Sequence, residues 1–237
     1  MNVLAIIPAR GGSVGIPRKN IQKLNGHPLI SYTIQHAKKS KIINKIVVST
    51  DDEKISKISK SLNVEVPFKR PKKLSSNNSS VIDVVVHTLS FLEKNQSYIP
   101  DIIVLLQPTS PFRKTSTIDS MIELLINSKS DSVISVFSTP NNFQISFHIC
   151  NNYLKQNNSN FESLSLRQNR DTILLPSGTV YAFWNKTLKK YNSIYGKKIK
   201  PFLIDDPIEL LDIDYPFDFF VAEMIHKNWK NFKKRFT

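Results

Sequence analysis

Cysteine is almost absent from this sequence, and long hydrophobic runs are missing. The single cysteine, Cys150, excludes an internal disulfide framework and a cysteine-rich zinc site, and it fits a reducing compartment. The longest unbroken apolar runs are about five residues, far short of the roughly 20 that a membrane-spanning helix needs. The first of them, at residues 3–7, is also too short for the hydrophobic part of a signal peptide. We therefore expect a cytoplasmic protein without a membrane partner.

Acidic residues are also few, at 19 against 33 lysines and arginines, so the formal net charge is +14. Such an excess is compatible with nucleic-acid binding, because cations attract phosphates whatever the base sequence. The lysines are spread along the chain as scattered pairs, however, and no basic motif interleaved with aromatic residues accompanies them. We favour a solvated lysine-rich surface without a nucleic-acid partner, and keep a basic nucleic-acid-binding protein as the alternative.

Glycine is scarce too, yet three of the six glycines lie within five positions, directly after the first apolar run. That run is short, partly β-branched and bounded by Pro8, which is typical of a buried parallel strand. Glycines allow backbone N–H groups to approach an anion closely. The glycines are Gly11, Gly12 and Gly15, and the nearby cations are Arg10, Arg18 and Lys19. The segment matches neither of the common glycine-rich nucleotide motifs, but it predicts a polyphosphate-binding loop.

Strand-like and helix-like segments alternate along the rest of the chain. The predicted strands are 3–7, 45–50, 64–66, 102–106, 132–137 and 178–183, and the predicted helices are 28–38, 53–62, 81–94, 117–129 and 217–229. This order predicts an α/β fold, with a single Rossmann-like, mostly parallel sheet and helices on both faces, in one domain over residues 1–237. Residues 139–170 are rich in Asn, Gln and Ser and have no sustained helical period, so they predict a small protruding, hairpin-like insertion.

Two pairs of aspartates are candidate functional groups. Asp51 and Asp52 precede a predicted helix, where capping is a better interpretation than catalysis. Asp212 and Asp214 are two positions apart, so on an extended backbone both carboxylates point to the same side. Two hard oxygen ligands beside a phosphate loop suit Mg²⁺. Because D-x-D before a helix is also a common cap, the residues alone leave both roles open for this pair.

Three segments resemble one family. Residues 8–20 read P-A-R-G-G-S-V-G-I-P-R-K-N, residues 105–111 read L-L-Q-P-T-S-P, and residues 212–214 read D-I-D; all three are similar to signatures of the sialic acid cytidylyltransferases, the CMP-sugar synthetases. The resemblance implies an enzyme that uses CTP and Mg²⁺ to activate a nonulosonic, sialic-acid-like sugar, giving the CMP-sugar and pyrophosphate. The sugar anomeric hydroxyl would attack the α-phosphorus in line. A related nucleotidyltransferase acting on 3-deoxy-octulosonate or a sugar 1-phosphate remains the alternative.

The resemblance also implies roles for individual residues. The implied nucleotide-binding residues are Arg10, Gly11, Gly12, Ser13, Lys19, Asn20, Arg70 and Ser79. The implied acceptor-sugar residues are Gln107 and Arg167, the implied metal ligands are Asp212 and Asp214, and the implied catalytic residues are Arg167, Lys19 and Asp214. The family further implies that the whole chain is a single nucleotidyltransferase domain, and that the insertion at 139–170 mediates formation of a homodimer.

Two departures from the family pattern affect the expected substrates. Val14 replaces a lysine of the signature, so the triphosphate charge must be met by Arg18, Lys19 or the metal. Residues 175–178 read L-P-S-G, where the family has an aromatic residue and an asparagine close to the sugar. Ser177 offers only a hydroxyl there and Leu175 an apolar group. We therefore predict that the acceptor is a modified nonulosonate, such as a diamino-tetradeoxy sugar, rather than ordinary sialic acid.

Overall fold

The structure is a computed structural model that describes residues 1–139, 146–157 and 173–234. Within them, strands and helices alternate over most of the chain, as the sequence pattern predicts. The strands are β1 (Val3–Pro8), β2 (Lys23–Leu24), β3 (His27–Pro28), β4 (Lys45–Ser49), β5 (Ile102–Leu105), β6 (Ser132–Ser138), β7 (Phe147–Cys150), β8 (Tyr153–Gln156), β9 (Leu174–Trp184) and β10 (Ile199–Leu203). The helices are α1 (Leu29–Lys39), α2 (Glu53–Ser61), α3 (Val81–Gln96), α4 (Thr115–Asn127), α5 (Asn185–Tyr191) and α6 (Pro216–Lys233).

Six of these strands form the central sheet, in the order β10-β6-β9-β5-β1-β4. β1 pairs in parallel with β4 on one side and with β5 on the other, and β10 pairs in parallel with β6. β9 lies between β5 and β6 and runs antiparallel to both. The sheet is mostly parallel, which confirms the predicted fold class. Residues 64–66, predicted as a strand, form only an isolated bridge between Glu65 and Val47, because the run stops at Pro67.

The two faces of the sheet belong to two separate apolar cores. Ile7 packs in a cluster with Ile34 of α1 and Ile122 of α4, whereas its neighbour Ile6 packs in another cluster with Leu92 of α3. Successive side chains of a strand point to opposite faces, so a strand that is apolar throughout must be covered on both sides. Each such fully buried side chain contributes roughly 1.5–3 kcal/mol to folding. Helices therefore cover both faces, as predicted.

Two elements of this sheet layer are not indicated by the sequence pattern. The helix α5 has seven residues, too few to display a helical repeat of apolar positions. The strand β10 contains Pro201, which argues against a strand in sequence because proline cannot donate a ladder hydrogen bond. β10 is tolerated because it lies at the edge of the sheet and pairs only with β6. The tertiary position of each element thus decides its conformation.

Within the predicted insertion, residues 146–157 contain an antiparallel hairpin of β7 and β8. Asn151 and Asn152 form its turn, with φ of 51° and 66°, the left-handed conformation that two-residue hairpin turns require and that asparagine tolerates. This hairpin agrees with the predicted hairpin-like character of the segment. Residues 140–145 and 158–172 lie outside the described residues, and the role of the insertion in dimerisation stays a prediction.

The direction of the strands decides where a ligand can bind. Because β1, β4 and β5 are parallel, their carboxyl ends and the loops that follow them meet at one edge of the sheet, which is the usual ligand-binding edge of open α/β sheets. The Asp212 to Asp214 segment is attached to the same edge, since the Ile213 N–H donates to the Thr109 carbonyl at 2.9 Å. The fold thus brings three distant sequence segments together.

Candidate active site

A cavity of about 470 Å³ opens at the carboxyl ends of β1 and β5. It is bounded by the glycine-rich loop after β1, by the segment after β5, and by the end of the aspartate-containing segment. The predicted site residues that line it are Arg10, Ser13, Lys19, Asn20, Gln107 and Asp214. Residues more than 190 positions apart in the chain therefore face the same space, as the hydrogen bond between Lys19 and Asp214 also shows.

A second cavity, of about 260 Å³, adjoins the first and is lined by Arg70 and Ser79. The two cavities share Pro8, Arg10 and Gln107 as lining residues. Arg70 is almost fully buried, and its Nε donates to the Ser49 hydroxyl at 3.0 Å. The predicted residues Arg70 and Ser79 thus lie around the smaller cavity, whereas Gly11 and Gly12 line neither cavity. Two adjoining cavities, the larger of them lined by the cations Arg10 and Lys19, could hold a ligand that has a polyphosphate part and a second part.

Internal hydrogen bonds hold the glycine-rich loop. The Asn20 side-chain amide donates to the Arg10 carbonyl at 2.9 Å, and Arg10 Nη1 donates to the Ser76 carbonyl at 2.7 Å. The Gly11 N–H donates to the Asp51 carboxylate at 3.0 Å. Gly12 follows in an exposed part of the loop. These hydrogen bonds fix the backbone conformation of the loop, and the buried side chain of Asn20 contributes one of them.

The loop at residues 75–80 is held by Ser79. Its hydroxyl donates to the Lys73 carbonyl at 2.9 Å and accepts from the Ser76 N–H at 3.1 Å. Ser80 then caps α3 by accepting from the Ile82 N–H at 3.1 Å. This polar run is thus an ordered turn at the ligand edge, and Arg10 connects it to the glycine-rich loop through Ser76.

Lys19 is bound to the aspartate segment. Its Nζ lies 2.7 Å from Asp214 Oδ1 and donates to the Ile213 carbonyl at 2.6 Å. The Lys19 side chain is only 11% exposed, whereas that of Asp214 is 59% exposed. Gly15 allows this contact, because a Cβ added there would lie 2.2 Å from the Asp214 carbonyl oxygen. A closely fitted ion pair therefore joins two of the predicted catalytic residues.

Asp212 differs from Asp214 in being largely buried. Its Oδ1 atom and the Thr109 hydroxyl are both without a hydrogen-bond partner of normal geometry among the described residues. Burial raises the pKa of Asp212, and the negative charge of Asp214 raises it further. The nearby Thr109 hydroxyl and the cations Lys19 and Arg113 oppose this change. A buried carboxylate oxygen without a partner is a costly feature unless a cation binds there.

The two aspartates satisfy part of the coordination that Mg²⁺ requires. Carboxylate oxygens are its preferred protein ligands, and it is usually held by one or two carboxylates together with phosphate oxygens and water. Within the described residues, no group of three or more His, Cys, Asp or Glu side chains could hold a metal by itself. The donor set of Asp212 and Asp214 therefore fits a metal that arrives with a polyphosphate, rather than a permanent all-protein site.

A buried arginine, which the sequence pattern does not indicate as a site residue, holds several segments of the site together. Arg113 is 1% exposed. Its Nε donates to the Thr179 carbonyl at 2.6 Å, its Nη2 to the Gln107 carbonyl at 2.7 Å, and its Nη1 to the Thr33 hydroxyl at 3.1 Å. One guanidinium thus connects α1, β9 and the segment after β5. The only sequence signal was its place two residues after the Q-P-T-S-P run, which does not reveal that the charge is buried.

The charge of Arg113 is balanced by carboxylates. Burial lowers its pKa to about 9, while Asp212 and Glu209 act in the opposite direction. Glu209 is itself buried and accepts hydrogen bonds from the Thr117 hydroxyl at 2.8 Å and the Lys114 N–H at 3.2 Å. The segment that carries Asp212 and Asp214 is therefore held against the sheet by internal charges as well as by backbone hydrogen bonds.

The 175–178 segment differs from the arrangement that the sequence suggested. Ser177 is buried in the sheet, where its hydroxyl lies within hydrogen-bond distance of the hydroxyls of Ser135, at 2.8 Å, and Thr179, at 3.0 Å. It is thus engaged within the protein, in contrast to its predicted role of offering a hydroxyl to the ligand. The next residue does reach the site, since a Cβ added to Gly178 would lie 3.6 Å from Gln107 Oε1 and 3.8 Å from the side chain of Asp212.

Arg18 is not a free replacement for the cation missing at position 14, because it is paired with Asp52. Arg18, expected to help replace the cation missing at Val14, instead donates through Nη2 to Asp52 Oδ2 at 2.9 Å. Val14 itself lines the larger cavity and is 74% exposed. Arg167 lies outside the described residues, so its predicted role in catalysis and acceptor binding stays a prediction.

Two solved enzyme structures of the α/β class share this fold. CMP:2-keto-3-deoxy-manno-octonic acid synthetase complexed with CTP superposes with a TM-score of 0.70, over 95% of this chain and 98% of that chain, at 14% identity. The 4-diphosphocytidyl-2C-methyl-D-erythritol synthase of Anaerococcus prevotii gives a TM-score of 0.65, over 96% of this chain and 99% of that chain, also at 14% identity. Likeness at such low identity establishes the fold.

Sequence comparison narrows this class to one family. The family described as cytidylyltransferase matches residues 4–234. The CMP-N,N'-diacetyllegionaminic acid synthase of Legionella pneumophila is 34% identical over 226 residues, which cover 95% of this chain and 96% of that protein. The N-acylneuraminate cytidylyltransferase of Escherichia coli is 31% identical over 235 residues, covering 98% of this chain and 54% of that protein. The chain belongs to the cytidylyltransferase family and is a nucleotidyltransferase, as its signature segments predict.

The buried guanidinium generates a prediction about stability. We expect Arg113→Met to lower the free energy of unfolding by about 3–5 kcal/mol. The Thr179 and Gln107 carbonyls would lose buried hydrogen-bond donors. The Asp212 and Glu209 carboxylates would also lose the buried positive charge that faces them. Urea denaturation followed by circular dichroism measures this difference. Arg18→Met is the matched control, since its ion pair with Asp52 is partly exposed and should contribute less than about 1 kcal/mol. Equal losses in the two variants would contradict the importance of burial.

Proposed function

We propose that this cytidylyltransferase transfers the cytidylyl group of CTP to the anomeric hydroxyl of a nonulosonic acid. The observation that supports this best is the pair of adjoining cavities with Arg10 and Gln107 at their junction. The larger one offers cations to a triphosphate, and the smaller one offers Arg70 and Ser79 to the nucleoside. Relatives that match almost the whole chain are named for the activation of such sugars.

The reaction needs positioning more than covalent chemistry. The sugar oxygen forms a bond to the α-phosphorus, and the bond from that phosphorus to the bridging oxygen breaks. Pyrophosphate leaves, and the hydroxyl proton passes to water. Holding the two substrates in line supplies much of the rate enhancement. In this proposal Arg10 and Lys19 neutralise the triphosphate, Ser13 and the glycine backbone cradle it, and Gln107 orients the acceptor. Lys19 would exchange Asp214 for a phosphate oxygen.

Mg²⁺ is the cofactor that we propose, with Asp212 and Asp214 as its protein ligands. The support is the unpartnered Asp212 Oδ1 atom among the described residues and the position of Asp214 on the larger cavity. The ion would supply positive charge beside the triphosphate. This charge matters more here because Val14 provides none and Arg18 is paired with Asp52.

Replacing Asp214 tests the metal assignment. Asp214→Asn keeps the size of the side chain but removes one charged oxygen, so we expect the rate to fall by at least about 10²-fold and the effect of Mg²⁺ on CTP affinity to weaken. Pyrophosphate release and calorimetric CTP titrations with and without Mg²⁺ measure the two effects. Asp205→Asn, at an exposed carboxylate nearby in the chain, is the control. Full activity of the Asp214 variant would rule out this ligand set.

We further propose that the acceptor is a diamino-tetradeoxy nonulosonate rather than ordinary sialic acid. The Ser177 hydroxyl is hydrogen-bonded inside the sheet. It therefore does not bind a sugar hydroxyl in place of the asparagine that the family has at this position. Leu175, which is half-buried on the same strand, would suit a deoxy carbon or a methyl group. One relative is named for N,N'-diacetyllegionaminic acid, and the pseudaminic acid cytidylyltransferase of Campylobacter jejuni is 36% identical over 158 residues, covering 67% of this chain and 66% of that protein.

A substrate panel tests the reaction and the acceptor together. We expect pyrophosphate release with CTP and not with the other three nucleotides, and a kcat/KM for a diacetylated diamino nonulosonate at least about tenfold above that for N-acetylneuraminate. An unpaired buried polar group costs roughly 1–3 kcal/mol, enough for such a ratio. A clear preference for N-acetylneuraminate would mean that the residues at positions 175 and 177 do not determine which acceptor is used. If the enzyme is active only with 3-deoxy-octulosonate or a sugar 1-phosphate, the acceptor is that compound and the proposed nonulosonate class is wrong.

The partner that we propose besides the substrates is a second copy of the chain, bound through the 139–170 insertion. The support is a cross-strand apolar pair on one face of its hairpin, in which Ile149 is 76% exposed and Leu154 70%. An exposed group of large apolar side chains is typical of an interaction surface.

The oligomeric state can be measured directly. We expect light scattering to give twice the 27.1 kDa of one chain, and we expect Ile149→Glu to shift the protein toward the single-chain mass, because a charge would be placed in the interface. Val86→Glu, at an exposed position of α3, should leave the mass unchanged. A single-chain mass for the unaltered protein would contradict the proposed dimer.

A cytoplasmic location is also part of the proposal, together with the absence of a nucleic-acid or membrane partner. No helix within the described residues is long and apolar enough to cross a membrane. The single cysteine fits a reducing compartment, and the lysines are scattered rather than grouped into a nucleic-acid-binding motif.

A further inference from the structure

The turn between β4 and α2 contacts the glycine-rich loop and also Arg70, which lines the smaller cavity. At its start, the Ser49 carbonyl accepts from the Ala9 N–H at 2.9 Å, just before the loop begins. The same carbonyl also accepts from Arg70 Nη2, and the Ser49 hydroxyl accepts from Arg70 Nε at 3.0 Å. Residues 49–52 thus contact both the glycine-rich loop, which is expected to bind phosphates, and Arg70, which is expected to bind the nucleoside.

The two aspartates of this turn have different partners. Asp52 caps α2, as the sequence predicts, by accepting from the N–H groups of Lys54 at 2.8 Å and Ile55 at 3.0 Å. Asp51 takes no part in this cap. Its Oδ1 accepts from the Gly11 N–H at 3.0 Å, across 40 residues of chain. Capping therefore accounts for Asp52 and leaves the position of Asp51 to be explained.

Glycine at position 11 is what allows the loop to lie against the turn. A Cβ added to Gly11 would lie 2.9 Å from the Cβ of Asp52, closer than side chains normally approach. The loop is thus seated directly on the turn, with the Asp51 carboxylate as the acceptor for its backbone. A hydrogen bond from a backbone N–H to a carboxylate is stronger than one between neutral groups.

Asp51 also acts on Arg70 by its charge. Arg70 is 4% exposed, and burial lowers its pKa to about 10, while the Asp51 carboxylate acts in the opposite direction. The nearby Arg10 guanidinium acts in the same direction as burial. Asp51 is therefore the acidic group that offsets the charge of the buried arginine at the smaller cavity.

We propose that Asp51 is a positioning residue of the nucleotide site, which fixes the glycine-rich loop through the Gly11 N–H and supports Arg70 through its charge. This inference rests on the proposed function, because the ligand placed by the two groups is taken to be CTP. Asp51 acts through Gly11 and Arg70 and is assigned no contact with the substrate. Loss of its carboxylate should thus weaken CTP binding and leave acceptor binding nearly unchanged.

Asp51→Ala is the first test. We expect calorimetry to show CTP bound about tenfold more weakly, on the scale of one charge-assisted hydrogen bond, with KM for the acceptor changed by less than about twofold. Hydrogen exchange of the Gly11 amide, followed by NMR, should become faster. Asp101→Ala is the matched control, because Asp101 Oδ2 accepts from the Asn2 N–H at 2.7 Å, near the opposite end of β1.

Asp51→Asn separates the two tasks of the carboxylate. It keeps an oxygen for the Gly11 N–H but removes the charge facing Arg70, so we expect slow Gly11 exchange and an intermediate CTP affinity. If the wild type binds CTP and Asp51→Ala binds it equally tightly, or if acceptor KM rises as much as CTP KM, the inference is overturned while the proposed function stands. A wild-type protein that binds no CTP would overturn both the inference about Asp51 and the proposed function.

Discussion

The buried guanidinium of Arg113 is the constraint on which the arrangement of the site depends. A charge removed from water is tolerated only where hydrogen bonds and opposite charges surround it. Arg113 obtains these from the carbonyls of Gln107 and Thr179 and from the nearby Asp212 carboxylate. Each of these groups lies in a different segment of the chain, so satisfying one side chain places the segment after β5, the strand β9 and the aspartate segment relative to one another.

The cations that a polyphosphate would meet are already engaged with carboxylates or carbonyls. Lys19 is paired with Asp214, and Arg18 is paired with Asp52. Val14, which also lines the larger cavity, adds no further positive charge there. In the proposed function, ligand phosphates would compete with these internal acceptors, and Mg²⁺ beside Asp214 would add positive charge that the engaged cations do not supply.

The sheet edge concentrates these groups because β1, β4 and β5 run in the same direction. The loop after β1 supplies the glycine-rich segment, the turn after β4 supplies Asp51 and Asp52, and the segment after β5 supplies Gln107. β9 enters from the opposite direction and brings Gly178 against Gln107. The same topology that builds the core thus assembles the site, with no need for a separate binding domain among the described residues.

Local sequence determined much of the fold. The apolar and β-branched runs identified β1, β4, β5, β6 and most of β9, because a strand buried on both faces must be apolar throughout. They did not reveal α5, which is too short to show a helical period, or β10, whose Pro201 is acceptable only at an edge. The antiparallel direction of β9 was also beyond the sequence pattern, since strand direction depends on pairing partners distant in the chain.

The sequence by itself also determined which loops carry the site, because glycines, cations and paired aspartates follow the predicted strands. Only the tertiary structure decided what each side chain does. It turned Ser177 into the sheet, bound Arg18 to Asp52, and gave Asp51 and Arg113 partners 40 and 66 residues away. The physical reason is that propensity and hydrophobic period act over a few residues, whereas burial and charge pairing depend on groups that meet only when the chain is folded.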